Sequence, residues 1–363
     1  MRMMTIVGAR PQLIKAAMVS RIVRAQPEWG IEEILVHTGQ HYDPEMSSIF
    51  FEQLQIPSPD YMLEIREKTH AAMTGKMMIA IEELITQLHP DLMLVYGDTN
   101  STVAGALTAA KSGVPLAHVE AGLRSFRQTM PEEVNRVVTD HLSRWLFAPT
   151  DRAVRNLADE GVTDSARRSV VKVGDVMFDA ALLIADHARP SSQVRNLIAD
   201  LGERFVVVTI HREENVLDDA RLEDLTLALV NVAEIVPVVF PMHPRTRTRM
   251  KSDLLRNACI HLLPPVGYMD MVTLLRRSSA VLTDSGGLVK EAFFFGKPSV
   301  ILRDETEWTE LVELGAARIA GTRPERVREE LEIALAKEAQ WLEARPYGDG
   351  TAASQIVRCL SAS

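Results

Sequence analysis

Short apolar runs alternate with longer segments of helical periodicity along the chain, and the alternation restarts after Pro190. This alternation is typical of parallel β-sheets whose faces are covered by helices. The predicted strands of the first half are Met3–Val7, Ile31–Val36, Asp91–Tyr96, Pro115–Val119, Trp145–Ala148 and Val170–Val173. Those of the second half are Phe205–Thr209, Val236–Pro241, Ile260–Leu263, Ala280–Thr283, Ser299–Leu302 and Ala317–Ile319. The sequence therefore predicts an α/β fold made of two Rossmann-like domains.

The length agrees with two domains, because 363 residues exceed one ordinary core at roughly 150 residues per domain. We place the N-terminal domain at residues 1–172 and the C-terminal domain at residues 173–346. The segment 347–363 reads as a glycine turn and one more helix, which we expect to pack back on the N-terminal domain. A net charge of −9 and a pI near 5.6 argue against nucleic-acid binding, so any phosphate must be held locally.

The two cysteines, Cys259 and Cys359, lie far apart without a CxxC spacing. The sequence therefore predicts neither a disulfide framework nor a thiolate metal site. The acidic residues form no EF-hand series, and we expect no bound metal. The chain enters a strand without a signal-like segment, and no run reaches the roughly 18 apolar residues of a membrane span. We expect a cytoplasmic protein without a membrane partner.

Polar residues directly after the predicted strands are candidate site residues, because these junctions open on one edge of a parallel sheet. The first junction, Gly8 to Pro11, joins a glycine turn to a proline suited to the first helical position. Arg10 there and Lys15 one turn later favour a phosphate at the helix N-terminus, and two exposed surface cations are the alternative. The junction lacks the GxGxxG fingerprint, so we expect no nicotinamide cofactor.

Three carboxylates of the first half, Asp98, Glu120 and Glu132, follow a strand or open a helix. Each has a structural alternative: Asp98 as a helix cap, Glu120 in a salt bridge with Arg124, and one acid of the pair Glu132 and Glu133 as a complement to the helix dipole. At one sheet edge, opposite an arginine, the three would suit proton transfer at carbon beside a departing anion.

The second half carries polar residues at equivalent junctions. His211 follows a strand, where a neutral histidine can donate to a phosphate oxygen or shuttle a proton. His243 lies in a second such loop, and an ordinary surface loop is the alternative. The stretch Ser285–Gly287 opens a helix with bare amides and a hydroxyl, which suits a diphosphate. Glu291, one turn later, could accept both hydroxyls of a ribose.

The chain resembles the non-hydrolysing UDP-N-acetylglucosamine 2-epimerases in eleven segments that occur in the same order: GARPQLIK, HTGQHYD, VYGDTNST, HVEAGLRS, MPEEVNR, FAPTD, GDVMFDA, TIHREEN, HPRTR, TDSGG and RDETEW. The match spans nearly the whole chain. It implies a glycosyltransferase B-like fold, a site in the cleft between the domains, a homodimer and no redox cofactor. It also implies that a base removes the C2 proton while UDP leaves C1, and that the 2-acetamidoglucal is reprotonated on its opposite face before UDP adds again.

The resemblance also implies roles for individual residues. Asp98, Glu120 and Glu132 look like the acid/base carboxylates, with His211 near the diphosphate, although which carboxylate is base and which is acid stays open. The contacts to substrate and UDP that the motifs imply are Arg10, Lys15, Arg136, His243, Ser285, Gly286, Gly287 and Glu291.

Several positions depart from the well-known bacterial members. Gln40-His41 is followed by Tyr42–Pro44 where those members have an arginine, so we expect no allosteric activation by substrate. Lys290 stands where they have an acid, and the sequence is similar to the subgroup acting on UDP-2,3-diacetamido-2,3-dideoxyglucuronic acid. A carboxylated sugar needs a cation near C6, which Arg127, Lys290 or Arg245 could supply. The expected reaction is conversion of UDP-N-acetylglucosamine to UDP-N-acetylmannosamine, with this uronate as the alternative substrate.

Other functions are compatible with the same architecture. A glycosyltransferase would need an acceptor and often a membrane-facing surface, and the clustered carboxylates favour proton chemistry instead. A hydrolysing relative would release the free sugar when water intercepts the glucal, which depends on loops that exclude water. A non-catalytic nucleotide-sugar binder would not require three acids.

Overall fold

The structure, a computed structural model, consists of two compact units. The residues it describes are 1–40, 58–250, 254–255, 259–336 and 340–362. The first unit comprises Met1–Ala180 and Pro346–Ser363, and the second comprises Ala181–Arg345. The expectation about allosteric activation rests on residues 41–44, which lie outside the described residues.

The first unit extends further along the chain than the expected boundary after residue 172, because it ends at Ala180. Asp179 connects this extension to the C-terminal helix. Its carboxylate accepts hydrogen bonds from the backbone nitrogens of Ala352 (3.2 Å) and Ala353 (2.8 Å). The C-terminal segment thus belongs to the first unit, where the helix Ala352–Ser361 packs on the helix that follows the first strand.

The first unit contains a sheet whose strands all run parallel. The strands are β1 (Arg2–Val7), β2 (Glu32–His37), β3 (Tyr61–Met62), β4 (Leu92–Tyr96), β5 (Leu116–Val119), β6 (Trp145–Ala148) and β7 (Ser169–Lys172). Within the described residues their order is β3-β2-β1-β4-β5-β6-β7. In the central register Met4 lies opposite Ile34 on one side and Met93 on the other. These strands are nearly continuous apolar runs because helices cover both faces of the sheet.

The helices of the first unit fill the connections between its strands. They are Arg10–Ala25, His70–Leu88, Asn100–Lys111, Pro131–Leu142, Asp151–Asp159 and Ala352–Ser361, with a short 3-10 helix at Pro27–Trp29. The helix Val176–His187 continues from the first unit into the second. On one face of the sheet Ile6 and Val95 pack with Met77 and Ile81 of a covering helix, which removes their apolar surface from water.

The second unit repeats this architecture. Its strands are β8 (Val206–Thr209), β9 (Val238–Pro241), β10 (Ile260–Leu263), β11 (Ala280–Thr283), β12 (Ser299–Ile301) and β13 (Ala317–Ile319). Among the described residues they form one parallel sheet in the order β10-β9-β8-β11-β12-β13. The helices are Ser192–Leu201, Glu213–Val216, Asp219–Ala233, Pro244–Arg249, Tyr268–Arg277, Gly286–Phe294, Thr309–Glu313 and Pro324–Ala336, with a 3-10 helix at Gln340–Ala344.

The α/β fold predicted from the sequence is confirmed, and each predicted strand is present. Only β3 was not predicted, since it has just two residues. The chain order reverses beside β1, which lies between β2 and β4, and beside β8, which lies between β9 and β11. Open parallel sheets bind ligands at the carboxyl ends of strands beside such a reversal. None of the helices in the described ranges is long and apolar enough to span a bilayer.

Candidate active site

The buried side chain of Gln12 fixes the loop after β1. Its Oε1 accepts hydrogen bonds from the backbone nitrogens of Gly8 (2.9 Å) and Ala9 (3.1 Å), and its Nε2 donates to the carbonyl of Tyr96 (2.6 Å). Gly8 is required by the close approach of the next loop, because a Cβ would lie 2.0 Å from Ser101 Oγ. Our sequence analysis missed Gln12, although its position directly after a glycine junction could have drawn attention to it.

The two cations predicted after β1 differ in their surroundings. Arg10 is exposed where its helix begins, whereas Lys15 is buried and forms an ion pair with Glu120 Oε2. Gly97, at the end of β4, lets this carboxylate lie against the backbone, since a Cβ there would be 3.2 Å from Glu120 Oε2. The loops after β1, β4 and β5 thus meet at one buried ion pair.

The suggested salt bridge between Glu120 and Arg124 is wrong. Arg124 instead binds Asp140 through Nη1 and Glu160 through Nε, both at 2.7 Å. Glu120 has a positive φ of 73°, which turns its side chain away from the direction that a continuing strand would give it. This backbone conformation explains why Glu120 and Arg124, although close in sequence, do not form a salt bridge.

Asp98 is not a helix cap. The N-cap of the helix Asn100–Lys111 is Thr99, whose hydroxyl accepts from the backbone nitrogen of Thr102. The Asp98 carboxylate forms an ion pair with Arg136, and its carbonyl accepts from Asn135 Nδ2 at 2.8 Å. Asp98 is therefore held by the helix that also carries Glu132.

Burial raises the pKa of the Asp98 carboxyl above its ordinary value, and the neighbouring Glu120 carboxylate raises it further, while Arg136 and Lys15 oppose the increase. Glu120 differs because Lys15 pairs with it directly and supports its negative charge. Two adjacent carboxyls in unlike surroundings can divide the roles of proton donor and proton acceptor near neutral pH.

Glu132 and Glu133 are adjacent but have different environments. Glu133 is buried and accepts hydrogen bonds from the backbone nitrogens of Ser125 and Phe126, both at 2.8 Å, and from Arg136 Nη1 at 3.0 Å. Glu132 is half-buried, and in the part of the chain that the structure describes it has no hydrogen bond or ion pair. Glu133 therefore orders the preceding loop, whereas the Glu132 carboxylate does not take part in this hydrogen-bond network.

In the second unit the buried carboxylate of Asp284 organises the loop after β8. It accepts from the backbone nitrogens of His211 (3.0 Å) and Arg212 (2.9 Å) and from Asn215 Nδ2 (3.1 Å), and it contacts His211 Nδ1 at 3.1 Å. Burial opposes its ionisation, but these bonds outweigh burial and hold the pKa of Asp284 below the ordinary value. The His211 ring, with its side chain 42% exposed, keeps its far edge accessible.

The stretch Ser285–Gly287 follows β11 and opens the helix Gly286–Phe294. Ser285 is its N-cap, with Oγ 3.5 Å from the nitrogen of Leu288. A Cβ on Gly286 would lie 1.9 Å from Glu307 Oε1, so a larger residue here would displace the Glu307 side chain. The Gly286 carbonyl accepts from Trp308 Nε1 at 2.7 Å. The helix N-terminus therefore has the amides and hydroxyl that bind anions.

The remaining predicted residues of this unit are Glu291 and His243. Glu291 Oε1 accepts a hydrogen bond from the Tyr268 hydroxyl at 3.1 Å. His243 caps the helix Pro244–Arg249, where its Nδ1 accepts from the backbone nitrogen of Arg245 at 3.3 Å. Within the described ranges, no group of three or more histidine, cysteine, aspartate or glutamate residues is placed to hold a metal ion.

Four of the predicted residues of the first unit lie close together in the structure. Lys15, Asp98, Glu120 and Arg136 alternate in charge at the carboxyl ends of β1, β4 and β5, an arrangement that can transfer protons without large net charge. In the second unit His211 and the stretch Ser285–Gly287 flank Asp284 at the ends of β8 and β11, an arrangement that can hold a diphosphate.

Comparison with known proteins agrees with these features. Residues 23–361 match the family described as UDP-N-acetylglucosamine 2-epimerase. The chain is 48% identical over 362 residues to the UDP-2,3-diacetamido-2,3-dideoxy-D-glucuronate 2-epimerase of Pseudomonas aeruginosa, covering 99% of each protein. It is 40% identical over 370 residues to the UDP-N-acetylglucosamine 2-epimerase of Methanocaldococcus jannaschii, again covering 99% of each. The solved structure of a UDP-GlcNAc 2-epimerase from that organism superposes with a TM-score of 0.88 at 38% identity over 100% of both chains. The chain therefore belongs to the UDP-N-acetylglucosamine 2-epimerase family and is an epimerase.

Proposed function

We propose that this epimerase inverts C2 of a UDP-linked 2-acetamido sugar by elimination and re-addition of UDP. The observation that carries the proposal is the pairing of two unlike carboxyls, Asp98 with its raised pKa and Glu120 beside Lys15, at the ends of β4 and β5. A C–H bond beside an acetamido group is weakly acidic, so its cleavage needs a positioned base and a leaving anion. An epimerase site also needs a second acid on the opposite face of the sugar.

The reaction then balances in two steps. A carboxylate takes the proton from C2 as the bond between C1 and the UDP oxygen breaks, which leaves a C1–C2 double bond and free UDP. A second carboxyl delivers a proton to the opposite face of C2, and the UDP oxygen forms a new bond to C1. We assign these transfers to Asp98, Glu120 and Glu132, and we assign UDP binding to His211 and the stretch Ser285–Gly287.

We further propose that the preferred sugar is the 2,3-diacetamido uronate rather than N-acetylglucosamine. The Pseudomonas aeruginosa relative, named for the uronate, shares 48% of its residues with this chain, and the Methanocaldococcus jannaschii relative, named for N-acetylglucosamine, shares 40%. Lys290 adds a physical reason. It is buried on the helix Gly286–Phe294 with its ammonium 4.7 Å from the centre of the Trp308 ring. A cation held in this way is suited to a sugar carboxylate.

The experiment is an NMR assay in D2O with either UDP-sugar and no acceptor. Deuterium at C2 together with a manno product still linked to UDP is the expected result, with faster turnover of the uronate. Lys290→Met is expected to lower kcat/KM for the uronate and to leave N-acetylglucosamine turnover unchanged. Release of free sugar would indicate a hydrolase, and no exchange with either sugar would contradict the proposal and favour a transferase.

We also propose that the protein acts as a homodimer in the cytoplasm without a cofactor. Two free cysteines, Cys259 and Cys359, are compatible with a reducing compartment. Exposed apolar side chains such as Ile79 and Phe126 offer surface that a second copy could cover. Sedimentation equilibrium is expected to give twice the chain mass of 40.4 kDa. A mass equal to one chain at micromolar concentration would contradict the homodimer.

A further inference from the structure

His118 is a fully buried histidine in the middle of the apolar strand β5. Its Nε2 lies 2.8 Å from the carbonyl oxygen of Gly97, and its Nδ1 lies 2.7 Å from Asp140 Oδ1. Neither contact is with substrate-facing atoms, and the reaction described above does not use them. The surroundings of this ring nevertheless determine which hydrogen atoms it carries.

Both ring nitrogens of His118 face oxygen acceptors. A carbonyl oxygen only accepts, so Nε2 must carry a hydrogen atom. Asp140 Oδ2 accepts from the backbone nitrogen of Gly122 at 3.1 Å and from Arg124 Nη1 at 2.7 Å, an environment that favours the ionised carboxylate. Nδ1 must then donate as well. The geometry therefore describes an imidazolium balanced by a buried aspartate, which avoids the cost of an unpaired buried charge.

This pair joins the three segments that carry the carboxylates of the first unit. Through the Gly97 carbonyl it holds the residue before Asp98. Through Gly122 it holds the turn that follows Glu120. Asp140 itself lies on the helix Pro131–Leu142, which carries Glu132.

A displacement of the Gly97 backbone would also move the Glu120 carboxylate. Gly97 lies so close that a Cβ on it would be 3.2 Å from Glu120 Oε2. Glu120 has a positive φ of 73° and its nitrogen donates to Phe147 O at 3.0 Å, so its position depends on contacts made by neighbouring strands. Proton transfer at one carbon requires such groups to be held within a fraction of an ångström.

We propose that His118, as an imidazolium paired with Asp140, is a positioning residue that sets the spacing of Asp98 and Glu120 for proton transfer at C2. The inference rests on the proposed function. It assigns no contact between His118 and the substrate. His118 acts by holding the Gly97 carbonyl and, through Asp140, the Gly122 nitrogen.

The test is a double-mutant cycle of His118→Gln, Asp140→Asn and the double variant. In His118→Gln the amide nitrogen can still donate to Gly97, but its oxygen faces the Asp140 carboxylate, and the repulsion should displace the loop. In the double variant the amide nitrogen introduced at position 140 donates to that oxygen. The amide oxygen at position 140 still accepts from the Gly122 nitrogen and from Arg124. We expect His118→Gln to lower kcat about 100-fold with KM unchanged. The kcat of the double variant should be about 10-fold higher than that of His118→Gln, since one hydrogen bond of ordinary strength is restored.

Glu160→Gln is the matched control, because Glu160 binds Nε and Nη2 of Arg124 and, within the described residues, forms no hydrogen bond with His118, Gly97 or Gly122. Its kcat should equal that of the wild type. Unchanged kcat in His118→Gln, or equal losses in the single and double variants, would overturn the proposal. Absence of C2 deuteration in the wild type would instead contradict the proposed function.

A second measurement does not depend on whether the variants fold. NMR of wild-type protein labelled with 15N-histidine shows which ring nitrogens carry hydrogen atoms. We expect the His118 ring to carry hydrogen atoms on both nitrogens, because both face oxygen acceptors. If the His118 ring carries a hydrogen atom on one nitrogen only, the imidazolium and the proposal are wrong.

Discussion

Glu120 shows how a single residue can be both strained and well held. Its positive φ of 73° is a conformation that few side chains other than glycine and asparagine adopt, and it costs of order 1–3 kcal/mol. The ion pair with the buried Lys15 and the hydrogen bonds of the flanking strands keep it in place. Strain of this kind concentrates at functional sites, where it aims a side chain that a continuing strand would point elsewhere.

The first prediction concerns the two unlike carboxyls. Asp98→Asn and Glu120→Gln keep size and hydrogen-bonding capacity but remove the ability to exchange a proton. We expect each to lower kcat by about 10²-fold or more. UDP affinity measured by calorimetric titration should stay unchanged, because these residues are assigned to proton transfer. Wild-type turnover in either variant would disprove the assigned roles.

The second prediction separates Glu132 from Glu133. Glu133→Gln should lower the free energy of unfolding by about 1–3 kcal/mol, because two backbone nitrogens and Arg136 lose a charged acceptor. Glu132→Gln, at a half-buried position, should change it by no more than about 0.5 kcal/mol yet abolish turnover. Urea unfolding and the C2 exchange assay test both effects. A stable, active Glu132→Gln would refute its role.

At the scale of elements, the junctions between strand and helix determine what the molecule can bind. The helix Gly286–Phe294 begins directly after β11, so its first amides point away from the sheet edge. The Trp308 indole and the Glu307 carboxylate pack against Gly286. The result is an N-terminus whose unsatisfied amides favour a phosphate.

The third prediction follows from this junction. Ser285→Ala should weaken UDP binding by about 1–3 kcal/mol through loss of a hydrogen bond to a charged group. It should also destabilise the fold by about 1 kcal/mol, because Ser285 caps the helix. Glu291→Ala should weaken UDP binding to a similar degree without the capping effect. Unchanged UDP titrations in both variants would refute the assignment of this helix to the nucleotide.

The fourth prediction concerns the connection between Asp179 and the helix Ala352–Ser361. Burial raises the pKa of Asp179 to about 6, although the nitrogens of Ala353 and Ala352 oppose the increase. The folded state therefore binds this proton more tightly than the unfolded chain, where the pKa of the carboxyl has its ordinary value of 3.8. The contribution of Asp179 to stability consequently falls as pH rises between these two values.

Asp179→Asn, which stays neutral and can still accept from the helix, should remove this part of the pH dependence. We expect urea unfolding at about pH 4 and about pH 7 to show a smaller loss of stability on raising the pH for the variant than for the wild type. Lys111→Met, at an exposed position without an ion pair among the described residues, serves as the control and should keep the wild-type dependence. Identical pH dependence in the wild type and Asp179→Asn would contradict the burial argument.

At the scale of the whole molecule, each of the two units has its own parallel sheet and its own reversal of strand order. The first unit carries the paired carboxyls, and the second carries the helix N-terminus to which we assign UDP binding. Neither set alone would complete the proposed reaction, which needs proton transfer and retention of UDP. The two α/β halves that the sequence predicts therefore correspond to two chemical tasks.

The fifth prediction belongs to this scale. Gln40 and His41 are followed by Tyr42–Pro44, and on the resemblance described under Sequence analysis we expect no activation by substrate. Initial rate should depend hyperbolically on UDP-sugar concentration, with a Hill coefficient of about 1. Added UDP-N-acetylglucosamine should not accelerate turnover of the uronate. A sigmoidal curve would show that another segment supplies the allosteric contact.

The sequence by itself determined the α/β fold and indicated candidate positions for the site. Strand and helix periodicity is local, and polar residues directly after β4, β5 and β11 mark the sheet edge without knowledge of the partners. The sequence could not predict which of these side chains pair with each other. Lys15 and Glu120 are 105 residues apart, and they meet because a single strand, β4, separates β1 from β5 in the sheet.

Tertiary structure also decided which polar groups are structural. Asp140 and His118 were not among the predicted site residues, but burial obliges each to find a partner. Glu120 lost its expected partner Arg124 because a positive φ points the two side chains apart. Spacing along the chain specifies which elements form, whereas strand order and burial specify which charges meet, because electrostatic pairing depends on distance in space.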